Sequence, residues 1–172
     1  IENGHDHFGE NKLQEAESKW LELKSKNNNL KLHMVGKLQT NKAKRAVQLF
    51  DYIHSLDNEK LALKLSSYEK ELSKKNKIFI QVNLANENQK SGILINELNN
   101  FYDYCIKDLS LNIIGLMCLP PIDSEPRKYF NLLKSTADNL KLYELSMGMS
   151  SDYEIAIEEG STFLRLGSSI MG

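Results

Sequence analysis

ELSMGMSSDYEIAIEEGSTFLRLGSSIMG, residues 144–172, carries the pattern strand, turn, helix, strand, turn. Tyr143 to Met147 reads as a short strand running into Gly148. Ser151 followed three residues on by Glu154 is a capping-box signal, so a helix is expected to start there, with Gly160 as its stop. Phe163 to Leu166 reads as a second strand that enters Gly167-Ser168-Ser169 directly. Both strands therefore end in glycine and hydroxyl residues. In a parallel α/β protein such ends lie on one face, where backbone amides can hold an anion such as a phosphate. Arg165 places a cation inside the second strand.

Working back through the chain, the same alternation repeats. Strands are expected at His5–Glu10, Leu32–Gly36, Tyr52–Leu56, Ile78–Asn83 and Ile113–Met117. The helices between them are marked by apolar stripes: Leu13, Ala16, Trp20 and Leu23; Ala43, Ala46, Val47 and Phe50; Leu61, Leu65, Tyr68 and Leu72; Ile95, Leu98, Tyr102 and Cys105; Phe130, Leu133, Ala137 and Leu140. Ile78 to Val82 is almost wholly apolar, which suits a parallel strand buried on both faces. Seven strands alternating with six helices imply an α/β fold of the (β/α)8 TIM-barrel type, here lacking one strand. A doubly wound open sheet is the alternative, but no GxGxxG follows the first strand. No tandem repeat or interdomain linker divides the chain, so residues 1–172 read as a single domain. Asn86 to Lys90 reads as a solvated strand-to-helix loop.

The balance of 22 basic against 23 acidic residues gives no electrostatic case for nucleic acid or an anionic membrane. No apolar run approaches bilayer-spanning length, and nothing resembles a signal peptide. Cys105 and Cys118 read as reduced packing residues of a cytoplasmic protein. The histidines at 5, 7, 33 and 54 have no metal-ligand spacing; His33 and His54 lie in apolar strands and read as satisfied structural residues.

In a barrel the functional groups stand at the C-terminal strand ends. These would be Asn11, Gly36 to Asn41, Asp57, Asn83, Met117, Ser146 to Ser150 and Gly167 to Ser169. The set is rich in amides and hydroxyls, and holds neither a nucleophile elbow nor a carboxylate dyad. Lys37, Lys42, Lys44 and Arg45 cluster at the second strand-helix junction, as a solvated helix face or as an anion rim.

Several segments together resemble one family. They are Phe8-Gly9-Glu10-Asn11 with Gln14-Glu15, His33 to Lys42 (HMVGKLQTNK), Ile53 to Asp57, Gln81-Val82-Asn83 and Lys90-Ser91-Gly92. Further along come Gly115-Leu116-Met117 with Pro120-Pro121, Leu145 to Asp152 (LSMGMSSD), and Arg165 to Ser168. In this order along the whole chain they are similar to the pyridoxal 5'-phosphate (PLP) homeostasis proteins, single-domain relatives of the alanine racemase barrel. The resemblance implies PLP at the barrel mouth. Its phosphate would be held by Ser146, Met147, Gly167 and Ser168, with Arg165 facing the pyridine nitrogen and Asn11 beside the ring. A cation at that nitrogen keeps it unprotonated and weakens the ring as an electron sink, which suits an intracellular PLP carrier without turnover. The alternative is a racemase-like enzyme, which needs a base on each face of the ring; no such pair is evident. PLP-dependent client enzymes would be the partners.

The resemblance also implies a departure. The family binds PLP as a Schiff base to a lysine on the first barrel strand, upstream of the FGEN segment. No lysine here matches that position, and the chain reads as truncated at its N-terminus, with the short C-terminal tail cut as well. Weakened PLP affinity is expected. So is self-association through open sheet edges at Phe8 and Leu164, since unpaired strands invite pairing.

Overall fold

A computed structural model describes residues 4–85 and 91–171 (for Met171, the backbone); the expected loop Asn86–Lys90 lies outside these residues. The strands are β1 (His7–Glu10), β2 (Lys31–Met34), β3 (Tyr52–Leu56), β4 (Lys77–Asn83), β5 (Ile93–Leu94), β6 (Ile113–Met117), β7 (Glu144–Met149) and β8 (Phe163–Arg165). The α-helices are α1 (Leu13–Lys26), α2 (Ala43–Leu49), α3 (Glu59–Glu71), α4 (Ile95–Asp103), α5 (Pro126–Asn139), α6 (Tyr153–Glu158) and α7 (Ser168–Met171). Seven strands form one path in the order β1-β2-β3-β4-β6-β7-β8, and every pairing is parallel. The sequence did not announce β5, a two-residue strand that pairs with the end of β4.

The sheet curls into a nearly closed barrel, because residues of its second and third strands meet its last strand inside it. The Phe163 ring of β8 lies 5.9 Å from both His33 of β2 and His54 of β3, centroid to centroid. Two apolar clusters result from the strand alternation. Ile78, Ile80 and Val82 of β4 point outward into the large core between sheet and helices. Phe79 points inward and packs with Tyr52, Met117, Ile114 and Phe163. Both faces of β4 are thus dry, as its apolar run requires. Among the described residues β1 and β8 do not pair with each other, so they form the two ends of the sheet.

Local chemistry fixes the helices. α1 buries Leu13, Ala16 and Trp20, and burial of the leucine alone contributes about 1.5–3 kcal/mol. Leu23, expected on the same stripe, is 37% exposed. Buried Glu10 locks α1 to β1 by accepting from Trp20 Nε1 at 2.6 Å and Lys19 Nζ at 2.7 Å. The Asn58 side chain caps α3 through the Leu61 amide, and Glu125 with Pro126 starts α5. The capping box expected at Ser151 is not formed. Asp152 instead turns its carboxylate back onto the Met149 amide at 2.7 Å, and α6 starts at Tyr153. No helix among the described residues is long and apolar enough to cross a membrane.

Candidate functional site

The C-terminal strand ends converge on one mouth. A cavity of about 1170 Å³ runs from this rim, at Asn11, Gly36, Lys37, Asn83, Met149 and Gly167, down the barrel interior to His7. Its described lining contains the cations Arg165 and Lys37 and no Asp or Glu. Such a wall favours an anionic occupant.

Arg165 ends β8 with its guanidinium deep in the protein but open to the cavity. Nη1 donates to Ser146 Oγ at 2.7 Å and Nη2 to the Cys118 carbonyl at 2.9 Å. Among the described residues it has no carboxylate at ion-pair distance. Burial lowers its pKa from the ordinary guanidinium value, yet an arginine remains charged at neutral pH. The Asp152 carboxylate acts on it only from beyond ion-pair distance, so burying the guanidinium is costly and an anionic ligand would offset that cost.

Beside it, the turns after β7 and β8 face each other. The Gly167 and Ser169 amides each lie 3.4 Å from Ser150 Oγ, and Ser169 Oγ lies 3.1 Å from it. Two amides and a hydroxyl thus converge on one oxygen at distances too long for strong bonds, leaving them able to turn to a better acceptor. Gly148 makes this possible. Its φ is +91°, and a Cβ there would meet Ala156 Cβ at 2.6 Å. Across the mouth, a Cβ on Gly36 would lie 2.2 Å from the Asn11 carbonyl, so glycine alone lets these two rim loops touch.

The geometry redistributes the six residues expected from the sequence. Asn11, Arg165 and Gly167 line the cavity, and Ser168 is exposed at its rim. Ser146 and Met147 are fully buried. The Met147 side chain joins the outer core, and Ser146 Oγ is occupied by Arg165 and His54. Ser146 therefore reaches the site only through the arginine it holds. Ser150 takes the rim position instead, two residues past the Gly148 turn. A serine directly before a turn looks alike at either place in the sequence; only the course of the turn separates them. Met117 packs inside the barrel, while Asn83 lines the cavity. Of the basic cluster, Lys44 and Arg45 are spent on surface pairs with Glu71 and Glu17, and Lys37 alone faces the cavity.

The ring nitrogens of His33 and His54 bond to each other, to His7 and to Ser146. Burial, then the neighbouring His7, holds His33 down at about 3. Burial, then His33, holds His54 well below the ordinary imidazole value. Both rings are neutral. Among the described residues no three His, Cys, Asp or Glu side chains gather into a metal-holding group.

The profile of the family described as "Alanine racemase, N-terminal domain" matches residues 1–172. The pyridoxal phosphate homeostasis protein of Aquifex aeolicus is 37% identical over 96% of this chain and 75% of its own length. That of Escherichia coli K12 is 33% identical over 100% of this chain and 77% of its own. The structure of PipY from Synechococcus elongatus without PLP superposes with a TM-score of 0.92 at 37% identity, covering 98% of this chain and 83% of that one. PipY with PLP bound gives 0.91 at the same identity, covering 98% and 82%. Alanine racemase of Clostridium difficile, 14% identical at a TM-score of 0.77 over 96% of this chain and 44% of that one, shares the fold.

Proposed function

The chain belongs to the alanine racemase N-terminal domain family, and from that premise we propose that residues 1–172 form a single PLP-binding barrel domain serving intracellular PLP homeostasis, without turnover of its own. The observation that carries this reading is Arg165: a cavity-facing guanidinium with no carboxylate partner among the described residues. The residues fit a phosphorylated pyridine. Arg165 would meet the ring nitrogen. The Gly167 and Ser169 amides, with the Ser150, Ser168 and Ser169 hydroxyls, would hold the phosphate. Asn11 would stand beside the ring, and Ser146 and Met147 would support this arrangement from behind. The relatives named as pyridoxal phosphate homeostasis proteins and PipY with PLP bound support it.

PLP supplies an aldehyde that captures amines and an aromatic ring that can spread negative charge. This chain's residues restrain the second property, because a cation at the ring nitrogen opposes its protonation. Among the described residues of the cavity they also provide no pair of opposed bases. The cavity's described lining has no carboxylate, and His33 and His54 are neutral and bonded to other side chains. PLP-dependent enzymes of the same compartment would be the partners. β1 and β8, the sheet's ends, would be the edges through which copies associate.

The test is a PLP titration of the purified chain followed by absorption, with borohydride reduction and intact mass to read any covalent adduct. Saturable binding, competed by inorganic phosphate and weakened in Arg165→Met, is expected. Binding that phosphate does not compete with, or that Arg165→Met leaves unchanged, overturns the site. Racemisation of amino acids by the PLP-loaded chain overturns the absence of turnover.

A further inference from the structure

The cofactor reading leaves three histidines without a task, yet they form one continuous hydrogen-bonded line through the interior. His7, His33 and His54 come from β1, β2 and β3, three neighbouring strands. His7 Nδ1 lies 2.9 Å from His33 Nε2, His33 Nδ1 lies 2.9 Å from His54 Nε2, and His54 Nδ1 lies 2.8 Å from Ser146 Oγ. Stacking holds the rings in place: His33 on Tyr52 at 4.2 Å and His54 on Phe79 at 4.4 Å. One end of the chain is Arg165 through Ser146. The other is His7, whose side chain is 41% exposed.

Donor arithmetic gives this chain a direction. A guanidinium only donates, so Ser146 Oγ accepts from Arg165. The Ser146 hydroxyl has one proton, and the acceptor it contacts is His54 Nδ1. His54 is neutral, so its proton sits on Nε2 and is donated to His33 Nδ1. The same step repeats at His33, whose Nε2–H is donated to His7 Nδ1. The His7 Nε2–H is left facing the Asp6 carboxylate at 3.8 Å. Each link donates the same way, from the arginine to the exposed imidazole, and aligned bonds of this kind strengthen one another.

We propose that His7, His33 and His54 are positioning residues for Arg165: a one-way hydrogen-bond chain through Ser146 that holds the guanidinium toward the cavity and is disrupted when His7 takes a second proton. A doubly protonated His7 donates from both nitrogens and can no longer accept from His33. The His7–His33 bond survives only if His33, and then His54, carry their protons on Nδ1. In that state one proton has been gained in total, held as the second N–H of His7, and neither interior ring is a cation. Ser146 Oγ would then accept from both Arg165 and His54, and its own proton would lose its acceptor in a fully buried position. Protonation at one side of the barrel thus loads the Ser146–Arg165 contact at the other. The charged and titratable groups that face the chain are Asp6 and His5 on the side of His7, Asp51 and Lys24 on the side of His33, and Tyr52 with Lys77 at its hydroxyl; Cys118 and Asp152 act on Arg165 at the far end. The consequence for ligand binding rests on the cofactor reading, because it is that reading which gives Arg165 its ligand. The chain itself does not.

The experiment is nitrogen-resolved NMR of the imidazole and guanidinium groups of the full chain, without cofactor, recorded over a descending pH series until His7 carries its second proton. At the upper end His33 and His54 are expected to carry their protons on Nε2. As His7 titrates, both should move them to Nδ1, and the Arg165 resonances should shift with the same midpoint. In His7→Asn, whose amide oxygen can still accept from His33, none of these should change; in His5→Asn, outside the chain, all should persist. A purely structural role predicts no tautomer change at His54, two links from the mutation. Finding His54 protonated on Nδ1 at the upper end, or His33 and His54 unmoved while His7 titrates, overturns the proposal. Since no PLP is present, this outcome is independent of whether the chain binds PLP.

Discussion

Replacing Gly148 by alanine tests how the rim of the site is built. Gly148 has φ +91°, a region that costs an L-residue roughly 1–2 kcal/mol. The new Cβ would also stand 2.6 Å from Ala156 Cβ and 2.9 Å from Leu164 Cδ2, pushing on α6 and β8 together. Overpacking of this kind costs about 1–3 kcal/mol. The expected loss for Gly148→Ala is therefore about 2–5 kcal/mol. Gly160 separates the two contributions. Its φ is +90°, but a Cβ there meets only the flexible end of the Lys134 side chain, Nζ at 3.5 Å and Cε at 3.8 Å. Gly160→Ala should thus lose only the backbone part, roughly 1–2 kcal/mol. Urea unfolding of the wild type and both variants, fitted with a common slope, reads the difference. Because the Gly148 turn delivers Ser150 to the rim, phosphate affinity should fall in Gly148→Ala and hold in Gly160→Ala. Equal stabilities of the two variants, within about 0.5 kcal/mol, would refute the packing argument, since such a gap is near the resolution of additive mutant data.

Three further outcomes are expected. Ser150→Ala should weaken inorganic phosphate binding by about tenfold or more, the worth of one hydrogen bond to a charged group; calorimetry showing no change removes Ser150 from the cradle. His54→Phe preserves the stack on Phe79 but strands His33 Nδ1 and the Ser146 hydroxyl, at about 1–3 kcal/mol each; a loss under about 1 kcal/mol in urea would mean these groups find other partners. Lys74 donates to the Gln48 and Phe50 carbonyls, and burial followed by Lys24 pushes its pKa down from 10.5 to about 8. The unfolded chain then binds more protons than the folded one between these two values, so stability should rise with pH across that window. Lys74→Gln should flatten the rise, and an unchanged slope assigns it to another group.

The alternation of apolar strands with striped helices is written in local sequence, and it determined the parallel α/β barrel. Ile78 to Val82 could satisfy its side chains only between two dry faces, and the structure gives it both. The small residues closing the last two strands likewise marked the region of the mouth, because amides and hydroxyls at such ends have few other uses. Which residue reaches that mouth was not local information. Ser146 and Ser150 sit in one short segment, and their fates diverge because Gly148 turns the chain between them and the curl of the sheet buries the first against His54. The helix start moved from Ser151 to Tyr153 for a similar reason, since Asp152 found the Met149 amide only once that turn existed. The histidine chain lies furthest from the sequence. His7, His33 and His54 become neighbours only when three strands pair in register, and Ser146 joins them only when the far side of the sheet comes round. Periodicity in sequence fixes which face a residue takes; closure of the sheet decides what it meets there.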